Sequence, residues 1–285
     1  GQHQGILGLW RLSRQIKALK PDAIVDLHQV LRSQMLRSFL PGTSYPTAVI
    51  DKGRQEKRAL TKIKNKVFKP LPHTTERYAT AFAQLGFNVP LDHSALLPKP
   101  SSSAAHAKAS HTRIGIAPFA AHAGKQYPLE KMKAALALFQ DMQPVPSQNY
   151  SFIFFGGGPL EQPLIEQLCK DFPGSSHALK LSFEEELIEI SRLDLMLAMD
   201  SGNAHLAAMY GVRTLTLWGN THPYAGFYPF LQDPKNALLA DREKYPLLPT
   251  SVFGKKVPKG YENVMETIDP SAVAQKMSAI LEQAH

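Results

Sequence analysis

The stretch MDSGNAHLAAMYGVRTLTLWGNTHP, residues 199–223, decides the fold. It completes an apolar run, DLMLAM (194–199), of the kind that forms a strand buried on both faces. Asp200 then stands at the strand's carboxyl end, and Ser201-Gly202-Asn203 supply a turn. AHLAAMYG (204–211) reads as a short helix closed by glycine, and VRTLTLWG (212–219) as the next strand. Repeats of such a unit build a parallel, doubly wound sheet. The unpaired amides of the helix's first turn, with a dipole equivalent to about half a positive charge, make an anion site. Gly202 lets a phosphate or sugar come close to the backbone. A capping role accounts for Asp200 or Ser201 alone, and His205 alone could be a satisfied helix residue. Asp, Ser, Gly, Asn and His converging at one strand end favour a ligand site.

The rhythm continues on the amino-terminal side. RIGIAP (113–118) is a short strand, PLEKMKAALALFQDM (128–142) a helix opened by proline, and YSFIFF (150–155) a strand stopped by Gly156-Gly157-Gly158. PLEQPLIEQLCKDF (159–172) reads as a helix, HALKL (177–181) as a weaker strand, and SFEEELIEISRL (182–193) as a helix with a Ser182–Glu185 capping box. The first third repeats the theme with a helix at 5–19, strand DAIVDLH (22–28), helix LRSQMLRSFL (31–40), strand TAVID (47–51) and helix TTERYATAFAQLG (74–86). PKPSSSAAHAKASH (98–111) has nothing to bury and reads as a linker. The expected organisation is an α/β domain at 1–97, the linker at 98–111, and an α/β domain at 112–285 whose last helix packs on either domain. Because the chain opens in a helix, the N-terminal domain is expected either to be unusually small or to lack its first βα unit or units.

At 285 residues, 44% hydrophobic and 20% charged, the chain can bury a large core and is neither disordered nor collagen-like. The single cysteine, Cys169, forms no internal bridge, which fits a reducing compartment. No apolar run reaches the roughly 18 residues that span a bilayer, so the expectation is a cytoplasmic protein. The net charge of +8 is uneven: residues 1–110 hold 17 Lys/Arg against 6 Asp/Glu, and 51–70 alone hold 8 against 2. Such a face attracts phosphate-bearing partners, although a charge run is more often a solvated helix face. Nucleic acid is disfavoured, because the run lacks interleaved aromatics and only one domain is basic. There is no G-x-G-x-x-G in register for a dinucleotide, no P-loop, no G-x-S-x-G, no H-E-x-x-H and no D-x-D.

Asp200-Ser201-Gly202-x-x-His205-x-Ala207-Ala208, followed by a strand and WGNTHP (218–223), resembles the signature of the ADP-heptose–lipopolysaccharide heptosyltransferases, glycosyltransferase family nine. IGIAPFAAHAGKQYP (114–128) is similar to the family's loop ending in Lys, one residue, an aromatic and Pro. FFGGGPLEQ (154–162) is similar to its strand, Gly-rich turn and Glu, and DAIVDLHQVLRSQML (22–36) to its weaker N-domain pattern. The resemblance implies an α/β fold of GT-B type, two Rossmann-like doubly wound domains facing a cleft, with the donor in the C-terminal one. It implies an inverting, metal-independent glycosyltransferase moving heptose from an ADP-sugar to a lipopolysaccharide inner-core acceptor, with no cofactor beyond the nucleotide-sugar substrate. A GT-B transferase using another nucleotide-sugar, and a nucleotide-sugar-binding homologue without transferase activity, remain the alternatives.

By the same resemblance, Lys125 contacts the donor diphosphate, Glu161 holds the ribose hydroxyls, Asp200 bonds hydroxyls of the transferred sugar, and Ser201, Gly202 and His205 contact phosphate. Lys125 and Asp200 are the two expected to bear on catalysis. Leu181 corresponds to an apolar residue lining the nucleotide. Where the family carries hydroxyl-bearing residues before the lysine loop, this chain has Phe119, Ala120 and Ala121, so some contacts must come from backbone. The general base is expected upstream of residue 1; Asp26 is the nearest family-patterned acid in the first domain, and a strand-end Asp is more often structural. Arg32, Lys52, Lys57, Arg58 and Lys62, with Arg54 and Lys64, are expected to grip phosphates of a glycolipid acceptor and hold the protein on the cytoplasmic face of the inner membrane. The oligomeric state is not legible.

Overall fold

The β-branched pair Ile24-Val25 and the run Thr47–Val49 form the only two strands described in the first of two units, which comprises residues 1–55 and 72–95. The structure is a computed structural model and describes residues 3–40, 45–100, 111–142 and 150–283. In chain order the first unit holds α1 (Gly5–Ala18), β1 (Ile24–Asp26), α2 (Leu31–Ser38), β2 (Thr47–Val49), the start of α3 (Arg54–Thr61), and α4 (Thr74–Ala83). β1 and β2 pair in parallel with Val25 opposite Ala48. Asp26 ends β1, and its carboxylate accepts from the amides of Gln29 (2.7 Å) and His28 (3.0 Å) and pairs with Arg37 Nε at 2.9 Å. Burial pushes that carboxyl up, but the Gln29 amide, the Ser33 hydroxyl, the His28 amide and Arg37 outweigh it and leave its pKa below the usual value. Asp26 is therefore a structural brace of its own strand end.

The second unit comprises residues 56–71 and 96–285. It contains β3 (Thr112–Ala117), α5 (Leu129–Asp141), β4 (Tyr150–Phe154), α6 (Gln162–Asp171), β5 (Ser176–His177), α7 (Phe183–Ser191) and β6 (Leu195–Met199). After these come α8 (Gly202–Met209), β7 (Arg213–Trp218), β8 (Ala237–Leu239) and α9 (Pro270–Glu282). The strands form one parallel sheet in the order β5-β4-β3-β6-β7-β8. Every residue of β6 is buried. Leu195, Leu197 and Met199 join the core with α5 and α9, whereas Met196 and Ala198 join Ile190, Ala204 and Ala207 on the opposite face. A two-residue period buried on both faces is what a doubly wound sheet demands. Ser182 opens α7 with the expected capping box, its hydroxyl accepting from Glu185 N and the Glu185 carboxylate from Ser182 N at 2.7 Å.

Three features depart from the sequence reading. The expected strand at 177–181 is only Ser176–His177, because the chain turns away at Lys180, whose φ is +68°. β8 and α3 were not foreseen: one is three residues long, and the other is mostly polar, with Leu60 its buried residue. Residues 56–71, assigned by sequence to the first domain, group with the second unit, as does α9, which packs on α5. Of the expected linker, residues 101–110 lie outside the described residues. Among the described residues, no helix is long and apolar enough to cross a membrane.

Candidate functional site

The sheet order sets the site. From β3 the chain moves outward to β4 and β5, then returns to place β6 on the other side of β3. Ligands of such sheets sit beyond the strands' carboxyl ends at this reversal. The segments leaving β3 and β6 there carry Lys125 and Asp200. A cavity of about 830 Å³ opens at this point, walled by Ala117 at the end of β3 and Phe119 after it, Gly156 and Glu161 after β4, and Asp200, Ser201, Gly202 and His205 after β6.

Lys125 Nζ lies 2.7 Å from Asp200 Oδ2 and 3.1 Å from the Asp200 carbonyl oxygen, with 16% and 7% of the two side chains exposed. The pair faces the cavity already neutralised, a state in which a buried charge is tolerated. The stem of Lys125 rests on Gly254, whose φ is +76°; a Cβ there would come within 2.6 Å of Lys125 Cγ. Asn220 secures the other side. It is fully buried, its amide donates to Gly124 O at 2.8 Å, its Nδ2 donates to Tyr261 O at 3.0 Å, and its Oδ1 accepts from Thr250 Oγ1 at 2.5 Å. Thr250 N and Ser251 N donate to its carbonyl. One residue thus joins the lysine loop to the 250–254 segment. Neither Asn220 nor Gly254 was singled out by sequence, because each acts through a tertiary approach that leaves no local pattern.

α8 begins at Gly202 with Ser201 in extended conformation, and the Ser201 side chain makes no capping bond. Its hydroxyl is buried without a hydrogen-bond partner among the described residues. Asp200 is taken by Lys125, so neither residue plays the capping role that the bland reading offered. Gly202 has ordinary backbone angles and open space where a Cβ would stand, so packing within the protein does not require a glycine there. Glu161 Oε2 accepts from the amides of Gly157 (3.0 Å) and Gly158 (3.2 Å), which folds the glycine turn around the carboxylate. A Cβ at Gly156 would come within 2.7 Å of Ile165 Cδ1 and 3.0 Å of Glu161 Oε2, the ends of two side chains that would have to shift to admit it. Leu181 does not line this cavity; it borders a smaller hollow of about 360 Å³ with His177, Glu185 and Arg192. The cavity wall also includes Glu186, Asn203, Phe227, Val252, Phe253 and Lys255.

The basic residues divide between the units. Arg32 and Lys52 lie in the first, where Arg32 Nη2 donates to His3 O at 3.0 Å and burial, with Arg54, lowers the Lys52 pKa. Lys57, Arg58 and Lys62 lie in the second, where Lys57 Nζ stands 4.2 Å over the ring of Phe227. Lys66 turns inward: its ammonium donates to Leu60 O (2.9 Å) and Pro249 O (2.7 Å), and burial together with Arg242 lowers its pKa to about 8. His222 lies beside it, packed edge-on by Phe68 and Tyr224; its Nδ1 accepts from Tyr224 N, and its pKa is lowered to about 4 by burial, Arg242 and Lys66. The WGNTHP motif is thus buried support, with the Trp218 indole donating to Thr216 Oγ1.

Residues 9–255 match the family described as glycosyltransferase family 9 (heptosyltransferase). Lipooligosaccharide heptosyltransferase 2 of Campylobacter jejuni is 24% identical over 144 residues, covering 49% of this chain and 43% of that protein, so the match spans less than half of the relative's length. Among solved structures, a family 9 glycosyl transferase from Veillonella parvula aligns with a TM-score of 0.69 at 17% identity, over 100% of this chain and 80% of that one. E. coli heptosyltransferase WaaC with ADP aligns at 0.63 and 16%, over 96% and 77%. E. coli ADP-heptose lps heptosyltransferase II aligns at 0.63 and 17%, over 96% and 81%. At these identities the likeness is one of fold, the GT-B type expected from sequence.

Proposed function

Since the chain belongs to glycosyltransferase family 9, the heptosyltransferase family, we propose that it is a glycosyltransferase moving a heptose from an ADP-sugar to a lipopolysaccharide inner-core acceptor, with inversion and without a metal. The observation that carries this reading is the meeting of Lys125, Asp200 and the first turn of α8 in one cavity at the sheet's switch point. The nucleoside lies toward Gly156 and Glu161, whose carboxylate receives ribose hydroxyls. The diphosphate lies over the first turn of α8, where Ser201, Gly202 and His205 meet it. The sugar reaches toward Asp200.

As the bond from the sugar carbon to the phosphate oxygen breaks, negative charge grows on the leaving diphosphate. An ammonium about 4 Å away at an effective dielectric of about 20 stabilises that charge by about 4 kcal/mol. To act, Lys125 exchanges the Asp200 carboxylate for phosphate, which releases Asp200 to accept hydrogen bonds from sugar hydroxyls. These residues supply the leaving-group half of the reaction. The acceptor is a phosphorylated glycolipid at the cytoplasmic face of the inner membrane, and of the basic residues expected to hold it, Lys57, Arg58 and Lys62 belong to the same unit as this cavity and are the ones assigned to its phosphates.

Thermal unfolding with ADP, UDP and GDP tests the reading. ADP at 100 times its dissociation constant adds about 2.7 kcal/mol of stability and outperforms the other two. Absence of a shift with all three overturns it, and a larger shift with UDP or GDP overturns the donor assignment.

A further inference from the structure

The loop that carries Lys125 is braced twice. Gln126 closes it on itself: its Oε1 accepts from Ala120 N at 2.9 Å, and its Nε2 donates to Pro118 O at 2.8 Å. That bond pair shapes the loop but does not say where it stands relative to Asp200. The end of β7 does. Asp200 N donates to Leu217 O at 3.3 Å, and two residues after β7 the Asn220 amide donates to Gly124 O, the residue before Lys125. One strand end therefore holds both partners of the ion pair. Asn220 is fully buried and no part of it lines the cavity. Its side chain and carbonyl instead fix Thr250, Ser251 and Tyr261. The segments close on Gly124, where a Cβ would come within 2.8 Å of Gly254 O and 3.2 Å of Asn220 Cβ. Gly254 in turn lies against the Lys125 stem, where its own Cβ would come within 2.6 Å of Cγ and 2.9 Å of Cε. Lys125 is thus held at its loop and along its stem, and its ammonium end is the part left to move.

We propose that Asn220 is a positioning residue for the transfer, one that lets the Lys125 ammonium pass from Asp200 to the donor diphosphate by a turn of the side chain's end while the loop stays still. A charge that is already in place costs no reorganisation when the leaving group develops its own. A displacement of about 1 Å at such a group can cost about 10² in rate. Asn220 touches neither substrate nor the reacting atoms, so it acts through Lys125 alone. The proposal rests on the transferase reading above and deepens it.

The test is calorimetric binding of ADP and AMP to the full chain, at a temperature where every variant is folded. AMP keeps the nucleoside and lacks the second phosphate, so the ratio of the two affinities reads how well Lys125 meets the diphosphate. A general loosening of the fold weakens both nucleotides and leaves the ratio unmoved. The unaltered protein binds ADP at least about tenfold more tightly than AMP, one decade of affinity. Asn220→Ala keeps the main-chain bonds, loses those to Tyr261 and Thr250, and brings the ratio down to about threefold or less. Lys125→Gln does the same, and the double variant matches Lys125→Gln alone, because a residue that acts through Lys125 then has nothing to act on. If Asn220→Ala does not fold, Thr250→Val, which removes the partner of Asn220 Oδ1, replaces it in the same cycle. The proposal is overturned if the substituted protein keeps the original ratio, or if the substitution lowers the ratio as much in Lys125→Gln as in the unaltered chain. An unaltered protein that binds neither nucleotide, or binds both alike, overturns the transferase reading of Lys125 instead, so the two failures are distinguishable.

Discussion

Two lysines of the second unit are both largely withdrawn from water, and they are satisfied in opposite ways. Lys125 is paired with a carboxylate, Asp200, at 2.7 Å in a cavity wall. Lys66 is held by two main-chain carbonyls, and the charged group that bears on its ammonium is another cation, Arg242. A carboxylate on a side chain can release its partner to an incoming anion, whereas carbonyls fixed in the backbone cannot follow it. The first arrangement is a site, and the second is a clamp tying residue 60 to residue 249. Lys66 belongs to the same basic run as Lys57, so a cluster of charges in sequence is not one surface in space.

Breaking the first arrangement has the largest expected effect. Lys125→Gln keeps a donor for Asp200 but loses the charge, and it should slow nucleotide release from the sugar donor by about 10²–10³, as for other preorganised charge stabilisers. Because the buried Asp200 carboxylate then loses its ammonium, the unfolding midpoint should also fall, so the rates are compared at a temperature where both proteins are folded. A rate within fivefold of the original would reduce Lys125 to a structural partner of Asp200.

That contrast was partly legible in sequence. The strands β3, β4, β6 and β7 announce themselves as apolar runs too short for helices, and Asp200 to His205 stands out because six polar or small residues follow such a run. β8 was missed because Ala237–Leu239 is too short to carry a period, and α3 because Leu60 is its buried residue. Asn220 lay inside a quoted motif without a role, since nothing local says that its amide will meet Gly124 O. Gly254 was missed for the same reason: it is required by the stem of a lysine 129 positions earlier in the chain. Lys66 was indistinguishable from its neighbours until burial separated them.

The next effect concerns the clamp's surroundings. His222 has a folded pKa of about 4 against an ordinary 6.5, because burial and the charges of Arg242 and Lys66 disfavour its cation. Between those values the unfolded chain binds a proton that the folded one refuses, so stability is lost as pH falls from about 6.5 to about 4. The full shift corresponds to about 3 kcal/mol. Denaturant titrations at pH 7, 5.5 and 4.5 should show that loss in the unaltered protein and a flatter limb in His222→Gln. Parallel limbs would mean that the imidazole is solvated or already paired when charged.

Lys66 makes the smallest and most discriminating prediction. Its pKa is lowered from 10.5 to about 8, so between those values the unfolded chain again holds the extra proton, and stability rises with pH. Solvent reaches part of the side chain and screens the interaction, which brings the expected gain down to about 1 kcal/mol. Tyr127 and Tyr228, whose pKa values burial raises, act in the opposite sense above pH 10, so the informative window is pH 8 to about 9.5. There the unaltered protein should gain stability relative to Lys66→Met, with ADP affinity the same in both. If Lys66→Met instead weakens ADP binding as Lys125→Gln does, the two lysines are one functional cluster, and the distinction between an exchangeable carboxylate and fixed carbonyls fails as an account of which cation serves the ligand.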